Sequence, residues 1–400
     1  MTSKRQISDL SIFGGTPIFN KQVHYGQLYF PKWPDFQKSF QGIFERRYFT
    51  NHGPLVRELD RKFAEYLGVR HAVCVTNETI ALMVAAKALD LRGEIIVPAF
   101  TYPTTVQAMS WAGLAPIFCD VDPDTHTLTA ELISPLINEK TSAVLGMHTW
   151  GRPCDPDNIR KLCERNKIAI IYDASDAFGC YHKKTKIGNF GNLECFSFHS
   201  SKLINSLEGA CLTTNDDELA ARIRTVRNFH VSESFSKVPL RINGKMSEAQ
   251  AALALLGLEN VDCNLEHNKS IFETYRKQCT NIKGIKLFEP ISESANNYQN
   301  AVVEVAHDQT LLSRDQLLSL FEAENVELRR YFFPGVHNIV PYKLTSKSDV
   351  PNLPTTDNLC NSCIQLPIGS QISVDSALKI TEILDFIIKY KYEIIKKIEA

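Results

Sequence analysis

The sequence lacks a surplus of either charge. Its 44 Lys and Arg stand against 45 Asp and Glu, a formal net charge of −1 over 400 residues. A polyanion binder normally carries a basic surplus or patch, so this balance excludes a general nucleic-acid binder and leaves room for one local anion pocket. No uninterrupted apolar run reaches the ~18 residues of a transmembrane helix. Met1 to Gln6 carries basic residues with no apolar core behind them, which predicts no secretory signal. Repeats and low-complexity tracts are absent. A disulfide framework is missing too: the eleven cysteines are odd in number and spread along the chain. Cys74, Cys119, Cys195 and Cys211 sit in apolar, strand-like runs, where a thiol behaves as a small hydrophobe. Cys360 and Cys363 spell C-x-x-C without the second ligand pair or the thioredoxin-like context that zinc or redox chemistry needs. These absences predict a soluble, cytoplasmic protein with no membrane or nucleic-acid partner.

What is present is an alternating pattern. From about residue 55, helix-like stretches (Leu55 to Leu67, Thr79 to Leu89, Thr105 to Ala112, Asp157 to Asn166) alternate with short apolar runs. Those runs are His71 to Asn77, Glu94 to Pro98, Ala115 to Cys119, Ser142 to Met147 and Ile168 to Tyr172. Strands apolar on both faces and separated by helices predict a mostly parallel sheet covered on both sides. Two further strand-like runs, Glu194 to His199 and Ala210 to Thr213, follow closely, then helical patterns at Asn215 to Phe229 and Ser247 to Glu259. Past about residue 265 the composition shifts toward a smaller α+β unit. The expected fold class is α/β, with a large domain over 1–260, including an N-terminal segment 1–54, and a small C-terminal α+β domain over 261–400.

Ligands of parallel α/β sheets sit at the carboxyl ends of the strands. After the first strand-like run come Asn77, Glu78 and Thr79, opening a helix whose free N–H groups suit a phosphate; alone, they read equally as a helix cap. Asp173 follows five apolar residues, so its carboxylate is largely desolvated and calls for a cation. Asp176 lies one turn further on. Lys202 follows Phe196-Ser-Phe-His-Ser-Ser. A lysine so placed can have its pKa lowered and serve as a Schiff-base nucleophile and proton carrier, or else be a surface lysine in a turn. A phosphate-ready helix start, a strand-end Asp and a strand-end Lys are together the three anchors of pyridoxal phosphate.

Those segments resemble the DegT/DnrJ/StrS family of pyridoxal-phosphate-dependent sugar aminotransferases, a branch of the aspartate aminotransferase fold (fold type I). The resemblance runs from Phe13-Gly-Gly-Thr16 to the C-terminus. Its most specific stretch is Phe196-Ser-Phe-His-x-x-Lys202 with Glu208-Gly-Ala210, preceded by Asp173-Ala-x-x-Ala177. Thr50-Asn-x-Gly-Pro54, Pro98-x-x-Thr-Tyr102, Asp120-Val-Asp-Pro123, His148-x-x-Gly151 and Arg330-x-x-x-Pro334 support it.

The resemblance implies that Lys202 carries the cofactor as a Schiff base and Asp173 pairs with its pyridinium nitrogen. It implies that Tyr102 stacks on the ring, that Asn77, Glu78, Thr79 and Ser197 hold the phosphate, and that Asp176 lies near the phenolic oxygen. Asn243 matches an asparagine that reaches the phosphate of the other subunit, so a homodimer with shared active sites is expected. His337, Tyr331 and Lys245 are candidate substrate contacts. Three residues depart from the family pattern: Glu78 replaces a small residue and has to point away from a phosphate, Asp176 replaces Gln or His, and Lys245 replaces Arg.

The implied reaction is a ping-pong transamination, with pyridoxal phosphate alternating with pyridoxamine phosphate. It moves an amino group from an amino acid, glutamate in most of the family, to a nucleotide-linked keto sugar. A 4-keto-6-deoxy sugar in amino-sugar biosynthesis for a surface polysaccharide or natural product is the first expectation. A 3-keto sugar or keto-cyclitol acceptor and a non-catalytic regulatory role are the alternatives. A sister branch performs dehydration with histidine in the lysine's place, and Lys202 argues against it. Substrate selection is expected of Tyr25 to Phe30, His230 to Leu240 and Tyr331 to His337.

Overall fold

The computed structural model describes residues 4, 6–26, 29–229, 238, 240–291, 296–345 and 352–399. Its centre is a seven-stranded sheet built from β1 (His71–Val75), β2 (Glu94–Pro98), β3 (Ala115–Cys119), β4 (Thr141–Met147), β5 (Ala169–Asp173), β8 (Leu193–Ser197) and β9 (Ala210–Thr214), with a short hairpin of β6 (Tyr181–His182) and β7 (Thr185–Lys186) beside it. The order across the sheet is β1-β9-β8-β5-β4-β2-β3. The β3/β2, β2/β4, β4/β5 and β5/β8 pairs are parallel, while β9 runs against both its neighbours. The expected mostly parallel sheet is therefore present, with one reversed strand.

Period-2 alternation divides the strand side chains between two apolar layers. Val73 and Val75 enter the core shared with Leu82, Val97, Leu145 and Ile171. Cys74, between them, enters the opposite layer with Leu59, Phe63, Phe178, Phe196 and Phe198. Every strand residue of β8 and β9 is buried, the polar Glu194, Thr213 and Thr214 included. Helices cover both sides. Glu78–Ala88 starts where the Asn77 side chain accepts from the Ile80 N–H at 2.9 Å, and Glu248–Glu259 starts with a Ser247/Gln250 capping box.

A second, three-stranded antiparallel sheet pairs β10 (Ile285–Leu287), β11 (Ala301–Val305) and β12 (Cys363–Leu366). Helices Val261–Cys279, Arg314–Ala323 and Val374–Lys389 pack around it through Phe272, Tyr275, Phe321 and Ile383. Leu10, from the start of the chain, is buried in the same core. Cys360 and Cys363 end a helix and begin β12, and both thiols are buried and free. Among the described residues no helix is long and apolar enough to cross a membrane.

Candidate active site

Parallel strands deliver their carboxyl ends to one edge of the sheet, and that edge opens into a cavity of about 560 Å³. The residues just after β1 (Asn77, Glu78, Thr79), β2 (Tyr102, Thr104) and β5 (Ser175, Asp176) line it, with Met147, Asp173 and Ser197 from the strand ends themselves. Lys202 enters from the turn between β8 and β9. The far wall comes from a segment outside the large sheet, Arg329, Tyr331 and Phe332, joined by Tyr25.

Asp173 is 2% exposed. The Thr105 hydroxyl donates to its Oδ2 at 2.7 Å and the Ser175 N–H to its Oδ1 at 3.0 Å. No Lys, Arg or His pairs with it among the described residues. Glu78 faces it, and the Ser175 hydroxyl bonds the Glu78 carboxyl. Burial, then the nearby Asp173, pushes Glu78 well above the usual carboxylate range. The Glu78 carboxyl turns to Ser175 and Asp173, and once protonated it has no charge to oppose an anion at the helix start.

Raised in this way, Glu78 binds its proton more tightly in the folded chain than in the unfolded one. Its contribution is fully present below the ordinary value of 4.5 and is lost as pH climbs toward the raised folded value. In the cofactor-free protein, Glu78→Gln is expected to match the wild-type thermal midpoint near pH 5 and to exceed it by on the order of a few degrees at pH 8. A midpoint difference that stays flat between those pH values would show that Glu78 ionises freely.

Lys202 donates to Asp176 Oδ1 at 2.8 Å, forming a largely buried ion pair. Gln299 fixes both partners: its Nε2 donates to the same oxygen at 3.0 Å and its Oε1 accepts from the Leu203 N–H at 2.9 Å. Asn297 holds the Asp176 carbonyl at 2.9 Å. The pairing changes the acid–base picture drawn from sequence. Burial is the largest single influence and lowers the Lys202 pKa, but Asp176, with Tyr331 and Glu78 behind it, together outweigh burial, and the ammonium is held above its usual range.

Nine of the sequence candidates meet in this cavity: Asn77, Glu78, Thr79, Tyr102, Asp173, Asp176, Ser197, Lys202 and Tyr331. Tyr102 is 43% exposed at the start of helix Pro103–Trp111. Three candidates lie elsewhere. Asn243 is exposed and accepts from Lys245 Nζ at 2.5 Å, while Lys245 rests 3.9 Å over the Phe229 ring. His337 is buried beside Phe118, with Nε2 3.1 Å from Asp357 Oδ1. Most of the His230 to Leu240 stretch, and Gln27 and Leu28, lie outside the described residues. Sequence reasoning did not single out Thr105, Ser175, Gln299 or Arg329 as site residues. Ser175 occupies a variable position of Asp173-Ala-x-x-Ala177, Gln299 and Arg329 belong to no motif read from the sequence, and Thr105 reads simply as part of an apolar helix.

A largely buried lysine and a buried aspartate at the strand ends of a seven-stranded, mostly parallel sheet, with a helix N-terminus lining the same cavity, are the arrangement of a fold-type-I enzyme, the class to which aminotransferases belong. The chain belongs to the DegT/DnrJ/EryC1/StrS aminotransferase family, whose sequence profile matches residues 33–385. It is 30% identical over 368 residues to the dTDP-4-amino-4,6-dideoxy-D-glucose transaminase of Escherichia coli, covering 91% of this chain and 98% of that one. It is 30% identical over 333 residues to the GDP-perosamine synthase of Caulobacter vibrioides, covering 80% and 89%. The crystal structure of DesI in the presence of its TDP-sugar product superposes with a TM-score of 0.93 at 33% identity, covering 99% of this chain and 100% of that one.

Proposed function

We propose that the protein transfers an amino group from an amino acid, L-glutamate by expectation, to a nucleotide-linked 4-keto-6-deoxy sugar, using pyridoxal phosphate that alternates with pyridoxamine phosphate. One observation carries the reading: a buried Asp173 carboxylate held by neutral donors alone, facing the cavity that Lys202 enters. Such a carboxylate is costly without a cation. The protonated pyridine nitrogen of the cofactor is a cation of fitting size and shape. When bound, the cofactor supplies an electron sink that lets nitrogen move between carbon centres.

The chain's residues do the rest. Asp173 would hold the ring nitrogen and favour its protonated form. The Glu78 and Thr79 N–H groups at the helix start, with Ser197, offer donors to a phosphate. Tyr102 offers a half-exposed ring as cover. Lys202 Nζ would be the group that holds the cofactor's aldehyde carbon and the base that would carry the proton there. To do so it has to release the proton that Asp176 helps it hold. Asn243 and Lys245 stand outside their own cavity on an accessible segment, a placement suited to serving a second subunit, which supports a homodimer with shared sites.

The names of the relatives support the acceptor, since the products named are amino sugars linked to dTDP or GDP. The test is to incubate the cofactor-loaded protein with L-glutamate and a panel of nucleotide-linked 4-keto and 3-keto sugars and a keto-cyclitol, following products by mass spectrometry. Conversion of a 4-keto-6-deoxy sugar at least about tenfold faster than the others is expected. Conversion of a 3-keto sugar or cyclitol alone would transfer the assignment to that acceptor. A coloured, folded protein that aminates none of them would remove the sugar aminotransferase reading.

A further inference from the structure

We propose that His126 is a positioning residue for keto-sugar binding: by accepting a hydrogen bond from Trp150 it sets where Phe332 and Tyr331, the aromatic wall of the cavity, stand. The role rests on the aminotransferase reading above and deepens it. His126 acts at a distance, since neither it nor Trp150 lines the cavity.

His126 follows β3 and Trp150 follows β4, and both side chains are buried. The Trp150 indole N–H donates to His126 Nδ1 at 3.2 Å. An indole nitrogen only donates, so Nδ1 is the accepting nitrogen and the ring carries its proton on Nε2. Nε2 lies 3.3 Å from Glu304 Oε1 on β11, a close approach without the alignment of a hydrogen bond. The Trp150 bond is therefore the one that orients the imidazole. Phe100, edge-on at 5.9 Å, and Phe288, at 4.2 Å, enclose the rest of the ring. Both partners sit in the left-handed backbone region, each with φ of 58°. Histidine tolerates that conformation, whereas a bulky tryptophan adopts it only where its surroundings hold it there. Here the strained backbone and the His126 acceptor aim one indole at one place.

That place is the back of the cavity wall. The Trp150 ring lies flat on Phe332, with centroids 5.2 Å apart and planes 4° apart, and edge-on to Tyr331 at 5.6 Å. Phe100 packs edge-on against Phe332 at 5.0 Å. Stacked rings slide over one another at little cost, while a directional N–H bond fixes a ring within its own plane. The bond to His126 thus sets the register of the Trp150–Phe332 stack. Phe332 and Tyr331 present that register to the cavity, where aromatic faces suit the apolar side of a sugar ring. The reacting groups are held by others: Asp173 by Thr105 and Ser175, and Asp176 by Gln299 and Lys202. Losing the His126 bond should act on sugar binding and spare the chemistry.

The test uses the cofactor-loaded protein, L-glutamate and the preferred keto sugar, with thermal unfolding as the check on folding. His126→Leu removes the acceptor, and Trp150→Phe removes the donor while keeping a ring against Phe332. Each is expected to raise the KM for the keto sugar about tenfold, the size of one lost hydrogen bond, with kcat within about twofold. The double variant should also stand near tenfold rather than about 100-fold, because the two changes remove the same bond. His126→Asn offers an accepting oxygen and suits a left-handed backbone, so its KM should stay within about threefold of the wild type. A second readout needs no turnover. Trp33 and Trp111 are exposed, so replacing both by Phe leaves Trp150 as the sole emitter of the three tryptophans. In that background His126→Leu should shift the emission and His126→Asn should leave it in place. KM increases that multiply in the double variant overturn the proposal, as does a folded His126→Leu with the wild-type KM. A fall in kcat at unchanged KM also overturns it, by placing His126 with the reacting groups. Where His126→Leu does not fold, Trp150→Phe decides alone, and an unchanged KM there is fatal to the role. A wild-type protein that loads cofactor and aminates no keto sugar sinks the aminotransferase reading and this role with it, before any variant is made.

Discussion

Lys202→Ala is expected to lose turnover by at least about four orders of magnitude, because it removes the covalent anchor of the cofactor together with the group that moves the proton. General acid–base action by one positioned side chain is worth roughly 10² to 10⁴ on its own. Lys202 is the one lysine among the described residues lining the cavity, so no neighbour can take its place there. The substitution also leaves Asp176, 4% exposed, with Gln299 but no cation. An unpaired buried carboxylate destabilises a fold, so a loss of activity in this variant alone is ambiguous. Lys202→Arg separates the two effects: it keeps a cation beside Asp176, cannot form the covalent link, and should be folded and inactive. Borohydride reduction followed by peptide mass spectrometry should find the cofactor on Lys202 in the wild type and nowhere in either variant. A reduced adduct at another lysine would move the catalytic assignment away from Lys202.

The strand-end residues were legible because the strands were. Runs such as His71 to Val75 are apolar on both faces, and a parallel sheet turns the residue after such a run toward the ligand edge. Asn77, Asp173 and Lys202 were found that way, from position rather than from chemistry alone. Partners brought in from distant segments were not. Thr105 reaches Asp173 across 68 residues and Gln299 reaches Asp176 across 123, and neither residue carries a local mark of that role. The same gap explains the acid–base reading of Lys202: its neighbours in sequence are hydroxyls and apolar groups, while the carboxylate that sets its charge stands 26 residues away. His337 sits in an irregular stretch whose sequence does not say which way a side chain faces, and it turns inward to Phe118 and Asp357. Helix Trp33–Arg46 falls outside the alternating pattern that begins near residue 55. The spacing of Trp33, Phe36, Phe40 and Phe44, whose rings follow one another at 5.4 to 5.7 Å, was the signal available for it.

Asp173→Asn is expected to fold normally and to lose two to three orders of magnitude in kcat/KM. Folding should survive because both contacts can be remade. An Asn oxygen can accept from the Ser175 N–H in place of Oδ1, and its amide can then face Thr105, whose hydroxyl accepts as readily as it donates. What the amide cannot supply is charge. At about 4 Å and an effective dielectric of about 20, the attraction between a carboxylate and a pyridinium is on the order of 4 kcal/mol. That corresponds to roughly a thousandfold in rate if it acts fully in the transition state. Removing the charge also relieves Glu78 of its nearest repulsion, so Glu78 should release its proton at lower pH in this variant. The thermal midpoint of the cofactor-free variant should therefore depend less on pH above pH 5 than that of the wild type. Steady-state kinetics with the preferred sugar, beside thermal unfolding of both cofactor-free proteins, reads the two effects separately. A folded variant that turns over at nearly the wild-type rate would make Asp173 a structural cap for the loop after β5 and remove it from the chemistry.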